Sequence, residues 1–271
     1  MTKGDFTAGA TEAAATWPML DKARPDIVTI GQEFAWTAMR AKKPEIASAI
    51  LGSLKEGKVA DSKPELTAVL LAWASFTAKP DDRSRKALLD ALEARAAAGS
   101  AENISIRAGQ ELFLYEWEHD EFDDAARTAA NGVRLLDYFG DALVDLRFAM
   151  RRNELMAKFL DNRKRSNVTA LDALAEEIET RLAREKDPKF RERLIGEIAK
   201  TLAWSGVERN VLRFAGIAAP EPPDRGEDSE GWFPTPGDAS RPVCNLDLDL
   251  GGVRPKYPRQ AAAKALPGYA I

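Results

Sequence analysis

Prolines constrain this chain most, because they recur where a helix can begin and rarely where one would have to continue. Lys43-Pro44-Glu45-Ile46 and Lys63-Pro64-Glu65-Leu66 repeat one phrase twenty residues apart, and Lys79-Pro80-Asp81 follows. Proline lacks the N–H that a first helical turn leaves unpaired, and its φ is already helical, so it opens a helix and ends the one before it. The acidic residue behind each proline favours the positive helix N-terminus. With Pro25 as an earlier opener, four helices are delimited, roughly 25–42, 44–57, 64–79 and 81–98.

Apolar residues at helical spacing extend the series. A helix over 102–118 carries Ile104, Ala108, Leu112 and Tyr115 on one face, and one over 122–139 carries Ala125, Ala129, Val133 and Leu136. A helix over 141–161 is expected to bury Leu143, Leu146, Met150 and Leu155, before a charged break from Asn162 to Asn167. Leu171, Leu174, Ile178 and Leu182 form the stripe of the next helix, which ends near Lys186 ahead of Asp187-Pro188. Another runs through Leu194, Ile198, Leu202 and Trp204 to Ser205-Gly206, and a short segment, Val207 to Phe214, closes the region. Residues 1–24 read as partly irregular.

The expected fold is therefore all-α, in antiparallel hairpins over 25–218. Phe122 and Ala125 after a short acidic turn, with small Ala108 and Gly109 in the preceding helix, resemble a tetratricopeptide hairpin. That resemblance implies a divergent tetratricopeptide-like array. An irregular helical bundle fits the same pattern, and the helix lengths vary more than a strict repeat would have it.

Composition excludes several functions. Apolar residues make up 45% of 271, enough for a substantial core, while 39 basic and 43 acidic residues leave a net charge of −4. Such a chain has no global field to attract nucleic acid, and none is expected as a partner. The N-terminus has no continuous apolar run and no later window has the length to cross a bilayer. Cys244 is the single cysteine. No phosphate loop, dinucleotide fingerprint, nucleophile elbow or metalloprotease helix occurs, so neither catalysis nor a cofactor is expected.

Three groups of residues are candidates for binding. Glu116, Glu118, His119, Asp120, Glu121, Asp123 and Asp124 gather oxygens that a hard cation would accept, the basis of an alternative reading as a metal-dependent enzyme or regulator. No glycine supplies the tight turn of a calcium loop, and a solvated turn between helices explains them better. Arg147, Arg151, Arg152 and Lys158, with Arg163-Lys164-Arg165, give a local basic stretch that could hold an acidic partner. Trp36, Trp73, Trp117 and Trp204, inside or near helix ends, fill the core if buried, and one exposed on a concave face next to Tyr115 or Phe113 would anchor a peptide. Phe113, Tyr115, Trp117, Arg147 and Arg151 are thus the candidate protein-binding residues of the helical region.

From Ala219 the composition changes: Pro220, Pro222, Pro223, Pro234 and Pro236 alternate with Asp224, Glu227, Asp228 and Glu230, a linker over 219–242. Trp232-Phe233 within it is costly to leave in water and is expected to dock on the helices. Val243 to Leu250 alternates apolar and polar residues and reads as a short strand. The end of the chain, Arg254 to Ile271, holds Pro255, Tyr257, Pro258, Ala261 and Gly268. These resemble the entrance to a TonB-type C-terminal domain, where a P-x-Y-P-x-x-A helix start is followed ten residues after the second proline by a glycine and a strand. The resemblance covers residues 254–271. It implies a truncated domain that continues past Ile271, a periplasmic location with a leader or anchor removed, and binding to partners by strand addition, with Tyr257 at the contact. A cytoplasmic protein with its own start is the alternative. The function expected is a non-enzymatic scaffold for a protein or peptide, related to envelope energy transducers.

Overall fold

The computed structural model describes residues 6–57, 59–61, 63–99 and 102–223. They form ten α-helices and, among the described residues, no strand: α1 Phe6–Thr16, α2 Ile27–Arg40, α3 Pro44–Glu56, α4 Pro64–Ala78, α5 Asp82–Ala97, α6 Asn103–Glu118, α7 Phe122–Asp137, α8 Val144–Asn162, α9 Arg165–Arg184 and α10 Pro188–Phe214. The all-α expectation holds. Expectations for the linker beyond Pro223, for Trp232-Phe233, for the strand at 243–250 and for Tyr257 lie outside the described residues.

Helix starts follow the prolines with one systematic offset. Pro44, Pro64 and Pro188 occupy the first turn of α3, α4 and α10, with Glu45 and Glu65 in the same turns of α3 and α4. Pro25 instead lies ahead of Asp26, the residue that precedes α2, and Pro80 lies ahead of Asp81. At α5 the start is set by a reciprocal cap: Ser84 N–H donates to Asp81 Oδ1 at 2.9 Å and Asp81 N–H donates to Ser84 Oγ at 3.0 Å. A side-chain cap satisfies a donor that proline merely removes, so the helix begins where the cap is.

Contacts divide the chain into two compact units, Met1–Leu112 and Phe113–Ile271, with the boundary inside α6. In the first, α1 packs on α2, α2 on α3, α3 on α4 and α4 on α5, and α2 also touches α4. Short connections make sequential neighbours antiparallel. Trp73 is the largest fully buried side chain; it lies 5.8 Å from Trp36 and donates through Nε1 to Glu111 Oε2 at 2.8 Å. Buried Arg95 meets Glu102 through two nitrogens, with Nη2 2.6 Å from Oε1.

The segment 1–24, read as partly irregular, contains α1. Its alanine-rich sequence carries no stripe of large apolar residues, so periodicity does not reveal it. Packing does: Ala10 and Ala13 are buried, the Arg40 guanidinium lies 3.9 Å over the Phe6 ring, and a Cβ on Gly9 would stand 3.1 Å from Thr37 Cγ2. Small residues let α1 approach α2 closely, so its helicity is a tertiary result.

In the second unit α7 packs on α8, α8 on α9 and α9 on α10, and α8 also touches α10. One cluster joins Val144 and Phe148 to Leu174, Ile178, Phe190, Leu194 and Ile198. A second gathers Phe113, Trp117, Ala125, Ala129, Met156 and Ala157, with Trp204 packed against it. Two details depart from the sequence reading. A 3-10 turn, Gly140–Leu143, precedes α8 and rotates its inner face to Val144, Phe148, Met150 and Met156, leaving Leu143, Leu146 and Leu155 half-buried. α10 passes unbroken through Ser205-Gly206, so Val207 to Phe214 is its last two turns and no separate segment exists.

Candidate functional site

The unbroken α10 is what builds the most unusual feature of the second unit. Its inner stripe continues at three- and four-residue spacing from Phe190, Leu194 and Ile198 to Thr201, Ser205, Glu208, Arg209 and Leu212, and so changes from apolar to polar along its length. Burying these groups is tolerated where they satisfy one another. Ser205 Oγ donates to Asp172 Oδ1 at 2.6 Å, the Arg209 guanidinium bonds both Asp172 Oδ2 and Ser205 Oγ, and Arg209 Nε donates to the Pro220 carbonyl at 3.0 Å. This network ties α9, α10 and the chain after α10 together. About two turns earlier in α10, buried Arg152 of α8 bonds Glu197 Oε2.

Glu208 stands apart from that economy. It is 1% exposed, and neither carboxylate oxygen has a hydrogen-bond partner. Burial, with the Asp172 carboxylate adding repulsion, pushes its carboxyl up to about 9 against the opposing pull of Arg209. The group is therefore neutral at pH 7. Outside it, Asp172, Leu202, Gly206, Arg209, Asn210, Arg213 and Pro222 line a cleft of about 250 Å³. Gly206 has open space where a Cβ would project.

The same end of the unit is basic and partly apolar. Phe159 and Val168, on either side of the α8–α9 turn, pack with Leu212, Val211 and Ala219. The turn itself exposes Arg163, Lys164 and Arg165, and α10 ends in exposed Arg213 and Phe214, with Ile217 just beyond. Arg163 takes a left-handed conformation, φ 47°, that closes α8. None of these four cations is in an ion pair with a described residue.

The residues singled out from sequence are placed as follows. Phe113 and Trp117 are each 2% exposed, their rings 5.7 Å apart, with Trp117 also 5.6 Å from Phe122 and 6.4 Å from Trp204. They are core, and the expectation that they anchor a partner is corrected by that burial. Tyr115 is half-buried and stacks on His119 at 3.9 Å. Arg147 pairs with Asp137 at 3.0 Å and Arg151 with Glu177, so both cations are already engaged on the surface. Tyr257 lies outside the described residues.

The acidic run at 116–124 is a helix end. Glu121 N–H donates to the Glu116 carbonyl at 2.9 Å and Asp120 N–H to that of Trp117 at 3.3 Å, with Asp120 at φ 62° between them. This closing motif sends the side chains apart: Glu116 is fully buried, Glu118 and His119 face solvent, and Asp124 pairs with Arg127 at 3.2 Å. Among the described residues no three of His, Cys, Asp or Glu converge on one point.

Asp172, Ser205, Glu208 and Arg209 are not recognisable as site residues on a sequence pattern that ends the helix at Ser205-Gly206. The signal lay in the spacing, because the stripe from Phe190 to Leu212 keeps its helical period through them. No protein family, no curated protein and no solved structure matches the chain.

Proposed function

We propose that the chain is a non-enzymatic scaffold that holds a protein or peptide partner. The observation that carries this reading is the C-terminal end of α10, where Arg213 lines the cleft and is followed in the chain by Phe214, 65% exposed, and Ile217, 44% exposed. Large apolar groups kept in water beside an open cleft mark a surface that a partner covers. The polar groups around them are bonded to one another across α9, α10 and Pro220, which is the arrangement of a structural brace.

The wider reading adds a tetratricopeptide-like hairpin array ahead of a TonB-like segment in an envelope protein, acting in the periplasm. Its support is sequence alone: Pro255, Tyr257, Pro258, Ala261 and Gly268 at the family spacing. No described helix is long and apolar enough to cross a membrane.

The test is a photo-crosslinking amino acid placed in turn at Phe214, at Ile217 and at Met19 in living cells. A discrete adduct from Phe214 or Ile217 supports the scaffold; no adduct from any of the three refutes it. Calorimetric titration with calcium, magnesium and zinc addresses the metal-dependent alternative. A stoichiometric response lost in Asp120→Ala would replace the scaffold reading.

A further inference from the structure

Resting on the scaffold reading, we infer that the end of the second unit formed by the α8–α9 turn and the last turns of α10 is a docking surface for an acidic peptide segment of a partner protein, one apolar side chain of which enters the cleft over Leu202. Charge carries the first half of the argument. Arg163, Lys164, Arg165 and Arg213 are exposed, while among the described residues the flanking segments 161–167 and 210–223 contribute two acidic side chains, Asp161 and Glu221. Asp172 is consumed by Arg209 and Ser205, and Glu208 is buried among α9 and α10 groups, so neither offsets the surface cations.

Shape carries the second half. Like-charged groups cluster at some cost in repulsion, and an anionic partner relieves it. An anionic membrane would present a flat face, which uses the cations and Phe214 but leaves the cleft empty. A polynucleotide would have to approach a chain of net charge −4 along its length, against long-range repulsion. A peptide meets every feature: carboxylates for Arg213 and the turn cations, main-chain groups for the exposed Asn210 amide, and one apolar side chain for a cleft with Leu202 and Gly206 in its lining. Phe214 and Ile217 then form the dry edge around the charged contacts.

The test uses the full chain and a fluorescein-labelled synthetic peptide with four acidic residues ahead of one tryptophan, read by fluorescence anisotropy. Saturable binding is expected, weakened on the order of tenfold or more by Arg213→Glu and by the triple variant Arg163→Glu/Lys164→Glu/Arg165→Glu. Gly206→Phe, which places a ring where the cleft lining has open space and leaves every charge in place, should weaken it comparably, with circular dichroism confirming that each variant is folded. The amide version of the peptide should bind at least tenfold more weakly. Affinity indifferent to these variants overturns the proposal, as does tighter binding to vesicles containing phosphatidylserine or to oligo-deoxythymidine than to the peptide. Adducts in cells from Met19 with no peptide binding would leave the scaffold reading standing and remove this surface from it. Absence of both would remove both.

Discussion

Replacing Glu208 by glutamine should stabilise the protein, and by more as the pH rises. The folded-state carboxyl titrates at about 9 against 4.5 for a free glutamate, so the native state holds this proton far more tightly than the unfolded chain. A group raised in this way contributes fully below the unfolded value, and its contribution is lost as pH rises from 4.5 through 9. At about 1.36 kcal/mol per unit, the loss is about 1 kcal/mol at pH 5, about 3 at pH 7 and about 6 at pH 9. Glutamine is isosteric and cannot ionise, so it carries none of this pH-dependent loss. Urea unfolding followed by helical circular dichroism at those three pH values measures the difference between Glu208→Gln and the parent. Other titrating groups cancel in that difference, so its growth with pH isolates Glu208. A difference that is constant across pH 5 to 9 would show that the carboxyl titrates as it does in water, and the account of its burial between Asp172 and Arg209 would be wrong.

Gly31→Ala should destabilise the first unit by about 1–3 kcal/mol, because its Cβ would stand 2.8 Å from Leu54 Cδ1 and 2.9 Å from Trp17 Cη2 in a packed core. Gly196→Ala, in the middle of α10 with open space at the Cβ position, should instead stabilise by about 0.5–1 kcal/mol; thermal unfolding of the two variants checks the opposite signs. Glu197→Ala strands the buried Arg152 guanidinium and should cost about 3–5 kcal/mol, whereas Arg152→Met/Glu197→Met should lose much less in the same denaturant titration. Asp172→Ala removes the partner of both Arg209 and Ser205, and hydrogen exchange should show faster opening of amides 209–216 than in the parent.

Helix count and starts were open to a reader of the sequence wherever the cause is local. Pro44, Pro64 and Pro188 remove a donor that the first turn leaves idle, and Asp81 with Ser84 supplies a cap within four residues, so no distant contact is needed to place α3, α4, α5 and α10. What depends on who packs against whom was not legible. α1 is a helix because Gly9, Ala10 and Ala13 fit against α2, and its own residues carry no stripe to announce it. Ser205-Gly206 has the composition of a stop, yet tertiary bonds from Ser205 and Arg209 to Asp172 and Pro220 hold the helix together through it. Phe113 and Trp117 could have faced water or the core with the same spacing, and packing with Ala125, Ala129 and Met156 decided it. A charged residue on a helix is read as solvated because ionisation is favoured in water. Asp172, Glu208 and Arg209 escape that rule through partners, or through keeping a proton, that arrive only when α9 and α10 close on each other.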